Sequence, residues 1–278
     1  MSLDATEPRL PRELERVIFE LAALSRPVLI PELLLVASRV KEWIQPLLYH
    51  TLVFDSGDYT TPLDGLRSYN PASFSQVIQH QRTLAECARN LIFIGSEEEV
   101  QLDGILLACP RVQNLFVLWP SEHDKPNKAT LDALPLRQLY CEIDELAPTT
   151  PFSRPFFSNI SHLELFSTPN QTEWMGLVRL PRLTHLALNQ YNDALCHLVL
   201  KDCNSLCLLV VLTPPGPHTD YSVGADPRFV MMELSDYIED WQRGALHGHG
   251  YWARAEDFIA KRRAGHPPPD PHHPFRLV

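Results

Sequence analysis

The stretch LRQLYC at residues 136–141 contains the pattern that decides the fold: an apolar residue, two others, an apolar residue, one other, and an apolar residue. The same pattern recurs as ARNLIF (88–93), VQNLFV (112–117), ISHLEL (160–165), LTHLAL (183–188) and LCLLVV (206–211). Successive first positions are 24, 24, 24, 23 and 23 residues apart. So constant a period indicates a stack of structural repeats, because one such unit cannot bury its apolar side alone.

A period of this length is typical of leucine-rich repeats, which run to about 20–29 residues. Each short strand would pair with the next, and the intervening segments, such as 100–109 and 193–200, have apolar spacing that suits short outer helices. We therefore predict an α/β fold, a leucine-rich-repeat-like solenoid over residues 51–212 with a parallel β-sheet on its concave face.

The regions that flank the repeats have different sequence patterns. Residues 1–9 and 265–278 are expected to be disordered, and residues 10–50 to form a helical unit with an amphipathic first helix. Residues 213–264 begin with a proline-rich segment and continue with two apolar stripes at helical spacing. We expect the two helices to form a C-terminal cap on the last repeat, since an uncovered terminal repeat exposes its core.

Charge and composition exclude several classes of function. The formal charge is −10, from 24 Lys and Arg against 34 Asp and Glu, which disfavours binding to nucleic acid. No glycine-rich phosphate-binding motif and no membrane-spanning apolar run occur in the sequence. Six cysteines without Cys-x-x-Cys spacing indicate reduced thiols, so we expect a cytoplasmic or nuclear protein.

The helical unit resembles an F-box. The residues that carry the resemblance are Leu10, Pro11, Glu13, Leu14, Ile18 and Phe19, followed by Val36–Arg39 and Trp43. Nearly the whole chain is also similar to a set of basidiomycete-type fungal F-box-like proteins, through stretches such as LPRELERVIFELAA (10–23) and WARAEDFIAKRRAG (252–265).

The F-box resemblance implies docking on a Skp1-type adaptor protein of a cullin ubiquitin ligase, while the repeats hold a target. The implied adaptor-binding residues are Leu10, Pro11, Leu14, Ile18 and Phe19, with Leu34, Val36 and Ala37 behind them. The same residues could instead cap the N-terminal end of the solenoid, and the sequence leaves both alternatives open.

Strand alternation directs the third, fifth and seventh positions of each pattern to the concave face, which we expect to be open to solvent. Aromatic side chains surrounded by polar groups are typical of protein-binding surfaces. The predicted concave-face binding residues are Asn114, Phe116, Gln138, Tyr140, Glu142, His162, Glu164, Phe166 and His185. An alternative is that these aromatic residues pack on one another or beneath a loop.

Catalytic and metal chemistry have weak support in the sequence. Cys203 with Cys207, and His247 with His249, do not match the ligand spacing of structural zinc sites. His162 and His185 could act with Glu164, but no nucleophile is evident beside them. We expect no enzyme activity, no cofactor and no metal.

The leading hypothesis is a substrate-recruiting adaptor of a ubiquitin ligase, and the alternative is a repeat scaffold without ligase association.

Overall fold

A computed structural model describes residues 10–55, 62–63, 66–70, 74, 76, 78, 82–94, 102–118, 126–143, 151–213, 222–234, 236–267 and 276–277. Within these residues the chain forms an α/β structure with one ten-stranded parallel sheet. The strands are β1 (Thr51–Asp55), β2 (Arg67–Tyr69), β3 (Asn90–Ile94), β4 (Asn114–Leu118), β5 (Gln138–Cys141), β6 (His162–Leu165), β7 (His185–Leu188), β8 (Leu208–Thr213), β9 (Phe229–Glu233) and β10 (Arg276–Leu277). Their spatial order is β10-β9-β8-β7-β6-β5-β4-β3-β1-β2.

The parallel sheet predicted from the repeated pattern is confirmed, and so is its register. Asn90 pairs with Asn114, which pairs with Gln138, and the series continues through His162 and His185 to Leu208. Each pairing joins the third positions of successive patterns, and a shift of one residue would move the apolar fourth and sixth positions to the opposite face.

Apolar residues on one face of the sheet pack against a layer of short helices. Leu115, Leu139 and Leu163 are fully buried there, in a cluster that includes residues from the segments between the strands. The helices of this layer are α1 (Arg12–Ser25), α2 (Ile30–Leu33), α3 (Ser38–Ile44), α4 (Leu102–Ala108), α5 (Lys128–Ala133), α6 (Trp174–Leu177) and α7 (Asp193–Asp202). The helices predicted at 100–109 and 193–200 are confirmed as α4 and α7.

Residues 10–50 form the predicted helical unit, made of α1, α2, α3 and 3₁₀ turns at Pro27–Leu29 and Gln45–Tyr49. It joins the main core through the buried residues Ala23, Ile30, Val40 and Ile44. An ion pair between Glu15 and Arg39, 2.6 Å apart, connects α1 to α3.

The chain after β8 forms a strand in addition to the two predicted helices. Strand β9 extends the sheet, and the helices α8 (Tyr237–His247) and α9 (Tyr251–Arg263) follow it. Asp236 begins α8 by accepting hydrogen bonds from the backbone N–H groups of Ile238 and Glu239. Gly248 ends α8 with a φ of 70°, a left-handed conformation that favours glycine.

Two expectations about the flanking regions need correction. The segment 213–264 is not purely helical, because β9 lies in it. The tail 265–278 is not wholly disordered, because Arg276–Leu277 pairs with β9, an interaction that no local pattern announces. The predicted disordered segment 1–9 lies outside the described residues.

The placement of α8 and α9 is the largest difference from the expectation. Both helices were predicted to cover the end of the last repeat, but they pack across the sheet face opposite α1–α7. The buried cluster on that face joins Ile92 and Phe116 from β3 and β4 with Trp241, Trp252 and Phe258 from the two helices. The sheet therefore lies between two layers of helices, and both of its faces are buried.

Candidate functional site

The face beneath α8 and α9, which we call the covered face, carries the residues predicted to form the concave binding surface. Phe116, Tyr140, Glu164 and His185 expose 2%, 5%, 1% and 8% of their surface, and Asn114 is also buried. Gln138, Glu142, His162 and Phe166 are partly buried. The structure brings the predicted residues together on one face, but the expectation that this face is open to solvent is wrong.

Four side-chain contacts connect the covered face to the helices above it. The indole N–H of Trp241 donates to Asn114 Oδ1 at 3.1 Å, and that of Trp252 donates to the Tyr140 hydroxyl at 2.9 Å. The other two contacts join the Tyr251 hydroxyl to Glu164 Oε2 at 2.7 Å and His185 Nε2 to Glu256 Oε1 at 2.9 Å. The covered face is thus polar as well as aromatic, and the two helices supply partners for several of its polar groups.

Aromatic rings fill the space between these contacts. Phe116 stacks on Tyr140 with ring centroids 5.8 Å apart, and it meets Trp241 edge-on at 6.2 Å. Phe166 lies 5.2 Å from Phe116. These rings pack on one another and on α8. The alternative interpretation, that the aromatic residues serve internal packing, therefore applies to this conformation.

Glu164 is a buried carboxyl group whose charge is poorly compensated. Burial raises its pKa to about 8; hydrogen bonding to Tyr251 and the nearby Asn189 side chain lowers the pKa, and the Asp240 carboxylate raises it. Oε1 of Glu164 and Oδ1 of Asn189 are both buried without a hydrogen bond of good geometry among the described residues. A proton on Glu164 would supply the donor that these two oxygens lack.

Asp240 connects the two helices of the covered face to each other. Its Oδ2 accepts the backbone N–H of Tyr251 at 2.6 Å, and its Oδ1 accepts from Arg254 at 2.6 Å. The backbones also approach closely, since a Cβ on Gly250 would lie 3.1 Å from the Gly244 Cα. These contacts make α8 and α9 a compact helical hairpin.

His162 and His185 pair directly across β6 and β7, and their rings stack with centroids 4.1 Å apart and planes 6° from parallel. The Trp252 ring meets both edge-on. Burial lowers the pKa of His162 to about 3, with a further contribution from His185, and burial lowers the pKa of His185 despite the Glu256 carboxylate.

A cleft of about 200 Å³ opens beside this histidine pair. Its lining includes Gln138, Tyr140, His162, Trp252 and Glu256. The Tyr140 hydroxyl, which accepts from Trp252, donates in turn to Gln138 Oε1 at 3.4 Å. In this cleft, predicted binding residues of the covered face meet helix α9.

From the sequence we considered Glu164 as the carboxylate partner of His162 and His185. In the structure the carboxylate beside the pair is Glu256 of α9. Glu256 lies 71 residues beyond His185 in the chain. No local signal identifies it, because its position depends on how α9 packs across the sheet.

A second surface of interest lies on the helical unit of residues 10–50. Nine of the twelve large hydrophobic residues that are exposed in the described part of the chain belong to it. They are Leu10, Leu14, Val17, Ile18, Leu21, Leu24, Val28, Leu35 and Val36, and we call them the N-terminal apolar surface. Within α1 the members recur at three- and four-residue spacing, which places them on one side of the helix.

The predicted adaptor-binding residues divide into two groups on this unit. Leu10, Pro11, Leu14, Ile18 and Val36 are exposed, so they do not cap the core in the way that the alternative required. Phe19, Leu34 and Ala37 are partly buried and pack against the main core. Leu35, which was not among the predicted residues, is the most exposed of these hydrophobic residues at 86%.

Comparison with known proteins adds no identification, because no protein family and no curated protein matches this chain. Among the described residues, no helix is both long and apolar enough to cross a membrane. None of the six cysteines forms a disulfide, and all six lie in the described part of the chain.

Proposed function

We propose that the protein is a substrate-recruiting adaptor that docks through its N-terminal apolar surface on a Skp1-type adaptor protein of a cullin ubiquitin ligase. The observation that carries the proposal is the concentration of exposed large hydrophobic side chains on the helical unit that resembles an F-box. Exposed apolar patches of this kind mark interaction surfaces, because leaving them in water is unfavourable.

The energetics suit a stable complex. Leu14, Ile18 and Leu21 expose 53%, 52% and 58% of their surface, so a partner could bury roughly half of each. Complete burial of such a side chain contributes about 1.5–3 kcal/mol, so half-burial contributes about 1 kcal/mol. Several such side chains together offset the entropy lost on association.

The helical unit also has the rigidity that docking requires. Six of its residues are buried in the main core, and the Glu15–Arg39 ion pair joins α1 to α3. The apolar surface is therefore presented by a unit that is already folded, and little ordering is needed on binding.

In this proposal the parallel sheet and its flanking helices are a leucine-rich-repeat-like solenoid that holds the target. Because α8 and α9 cover Phe116, Tyr140 and Glu164, a target at the predicted concave face enters one of the clefts beside the two helices, such as the one beside His162, or displaces the helical hairpin. A cleft of about 200 Å³ accommodates one or two side chains of a peptide rather than a folded domain. The protein has no catalytic role in this proposal.

The decisive experiment is a pull-down of the purified Skp1-type adaptor protein by the full chain and by Ile18→Asp. An aspartate at this exposed position leaves the fold intact but places an unpaired carboxylate in the interface, which is strongly unfavourable. We expect the dissociation constant to rise at least about 30-fold, the equivalent of about 2 kcal/mol.

A matched control is Leu107→Asp, which makes the same change at a 63%-exposed leucine of α4, outside the N-terminal apolar surface. It should bind the adaptor as the wild type does. Equal recovery by wild type and Ile18→Asp, with both proteins folded, would show that docking does not use this surface. No recovery by any of the three proteins would favour the alternative, a repeat scaffold that never associates with a ligase.

A further inference from the structure

Three side chains at the cleft bring metal-ligand atoms close together. His162 and His185 stack across β6 and β7, and Glu256 reaches them from α9. One donor atom from each of the three lies within 4.8 Å of the others. The cluster joins two strands to a helix, so its members come from distant parts of the chain.

Neighbouring hydroxyl groups fix the tautomer of both imidazoles. The Ser161 hydroxyl donates its single proton to the Arg137 carbonyl at 3.2 Å, so it accepts from His162 Nδ1 at 2.9 Å. Thr184 repeats the arrangement on the next strand, where its hydroxyl donates to the Ser161 carbonyl at 3.1 Å and accepts from His185 Nδ1 at 2.8 Å. In its neutral form each ring therefore carries its proton on Nδ1 and a lone pair on Nε2.

The consequence is an excess of acceptors at one place. His185 Nε2 and Glu256 Oε1 lie 2.9 Å apart, a contact that needs a shared positive charge, either a proton on Nε2 or a metal ion. His162 Nε2, the third lone pair, makes no hydrogen bond to the described residues. A cation among these atoms satisfies all three.

We propose that His162, His185 and Glu256 form a binding site for a first-row divalent metal ion, with Zn²⁺ as the preferred occupant. Imidazole and carboxylate ligands suit zinc, and hydrogen bonds from Nδ1 to neighbouring oxygens are the usual support of histidine ligands. The cysteine and histidine pairs considered from the sequence are not part of this site.

The site needs modest adjustment to close around an ion. Donors that bind zinc tetrahedrally lie about 3.4 Å apart, given bonds of about 2.1 Å. His185 Nε2 and Glu256 Oε1 are already this close, so His162 Nε2 must approach them by up to about 1.4 Å, and the His162 ring must turn out of the stack so that the lone pairs converge. Glu256, with a side chain that is 55% exposed, is free to make its share of this movement.

An ion at this site would connect β6 and β7 to α9 and hold the helical hairpin on the covered face. Three protein ligands leave one position of a tetrahedral ion for water or a small ligand. That position faces the cleft, because His162 and Glu256 line it. The proposal is independent of adaptor docking, which uses the opposite end of the chain.

The test uses the full chain, stripped of metal by a chelator and titrated with Co²⁺ and with Zn²⁺. Wild type is expected to bind one Co²⁺ with the visible absorption of a four- or five-coordinate ion, and Zn²⁺ should displace the Co²⁺ and raise the midpoint of thermal unfolding. Glu256→Gln should weaken binding at least about tenfold, since it removes a charged ligand. The exposed position of Glu256 keeps this variant folded.

Two controls make the result specific. Asp257→Asn changes the next carboxylate of α9, which is 60% exposed and pairs with Lys261, and it should bind as wild type does. A variant lacking His247 and His249 should also retain binding. Equal affinity in wild type and Glu256→Gln, loss of binding only in the His247/His249 variant, or no binding of Co²⁺ by wild type would each overturn the proposal.

Discussion

Glu164→Gln should remove a pH dependence of stability that the buried carboxyl group imposes. In the folded protein the pKa of Glu164 is about 8, against an ordinary value of 4.5. Between these values the folded chain holds a proton that the unfolded chain has released. The folded state therefore binds more protons, and its stability falls as pH rises from about 5 to 8. Above pH 8 both states are ionised and this contribution becomes constant.

The size of the effect follows from the same two values. Each unit of difference in pKa corresponds to about 1.4 kcal/mol, so raising the pH from 4.5 to 7 costs the wild type about 3 kcal/mol at this one group. Glutamine does not titrate. Its side-chain oxygen can accept from Tyr251, and its NH₂ can donate to the unpartnered Asn189 Oδ1. We expect the variant to be more stable than wild type at pH 7 and 8.

The assay is urea unfolding followed by tryptophan fluorescence at pH 5, 6, 7 and 8. The quantity of interest is the unfolding free energy of Glu164→Gln minus that of wild type, because the subtraction removes contributions from titrating groups that do not interact with Glu164. This difference should grow by about 1.4 kcal/mol per pH unit between pH 5 and 7.

One result would refute this reasoning about Glu164. If the difference between Glu164→Gln and wild type does not change with pH, while the urea dependence of unfolding is the same for both proteins, the carboxyl group is ionised in the folded state. The covered face would then hold a buried negative charge that the contacts described above do not compensate.

Two further predictions concern the covered face and the thiols. A double-mutant cycle of Trp241→Phe and Asn114→Ala should give a coupling of about 1 kcal/mol in urea unfolding, since the pair shares a buried hydrogen bond; strictly additive effects would contradict it. Cys207, the one exposed cysteine, should react first with a thiol reagent in mass-spectrometric labelling, because burial raises the pKa of two other thiols to about 12; faster labelling of a buried cysteine would argue against the described packing.

The strand register was predictable because it depends on local sequence. Each pattern supplies apolar fourth and sixth positions at a nearly fixed interval, and a shift of one residue would move them all to the wrong face. The existence of α7, α8 and α9 also followed from apolar spacing over three or four turns. Their residues could be assigned to helices without knowledge of any other part of the chain.

The placement of α8 and α9 could not be predicted, because it depends on pairing between distant faces. Phe116 and Tyr140 lie on strands whose side chains alternate between two faces. The sequence of such a strand is the same whether these aromatic residues face water or a helix. Trp241 and Trp252 belong to apolar stripes that could pack equally well on the end of the repeat stack or on the face of the sheet. The site beside His162 was missed for the same reason, since its carboxylate arrives with α9.

Contacts of the helical hairpin with the sheet have a consequence for the order in which the chain acquires its structure. Neighbouring strands from β3 to β8 are about 24 residues apart and can pair as the ribosome releases them. Trp241 reaches Asn114 across 127 residues, and Trp252 reaches Tyr140 across 112. During synthesis the aromatic side of the growing sheet therefore stays uncovered until α8 and α9 emerge, and over that interval its apolar surface is open to aggregation.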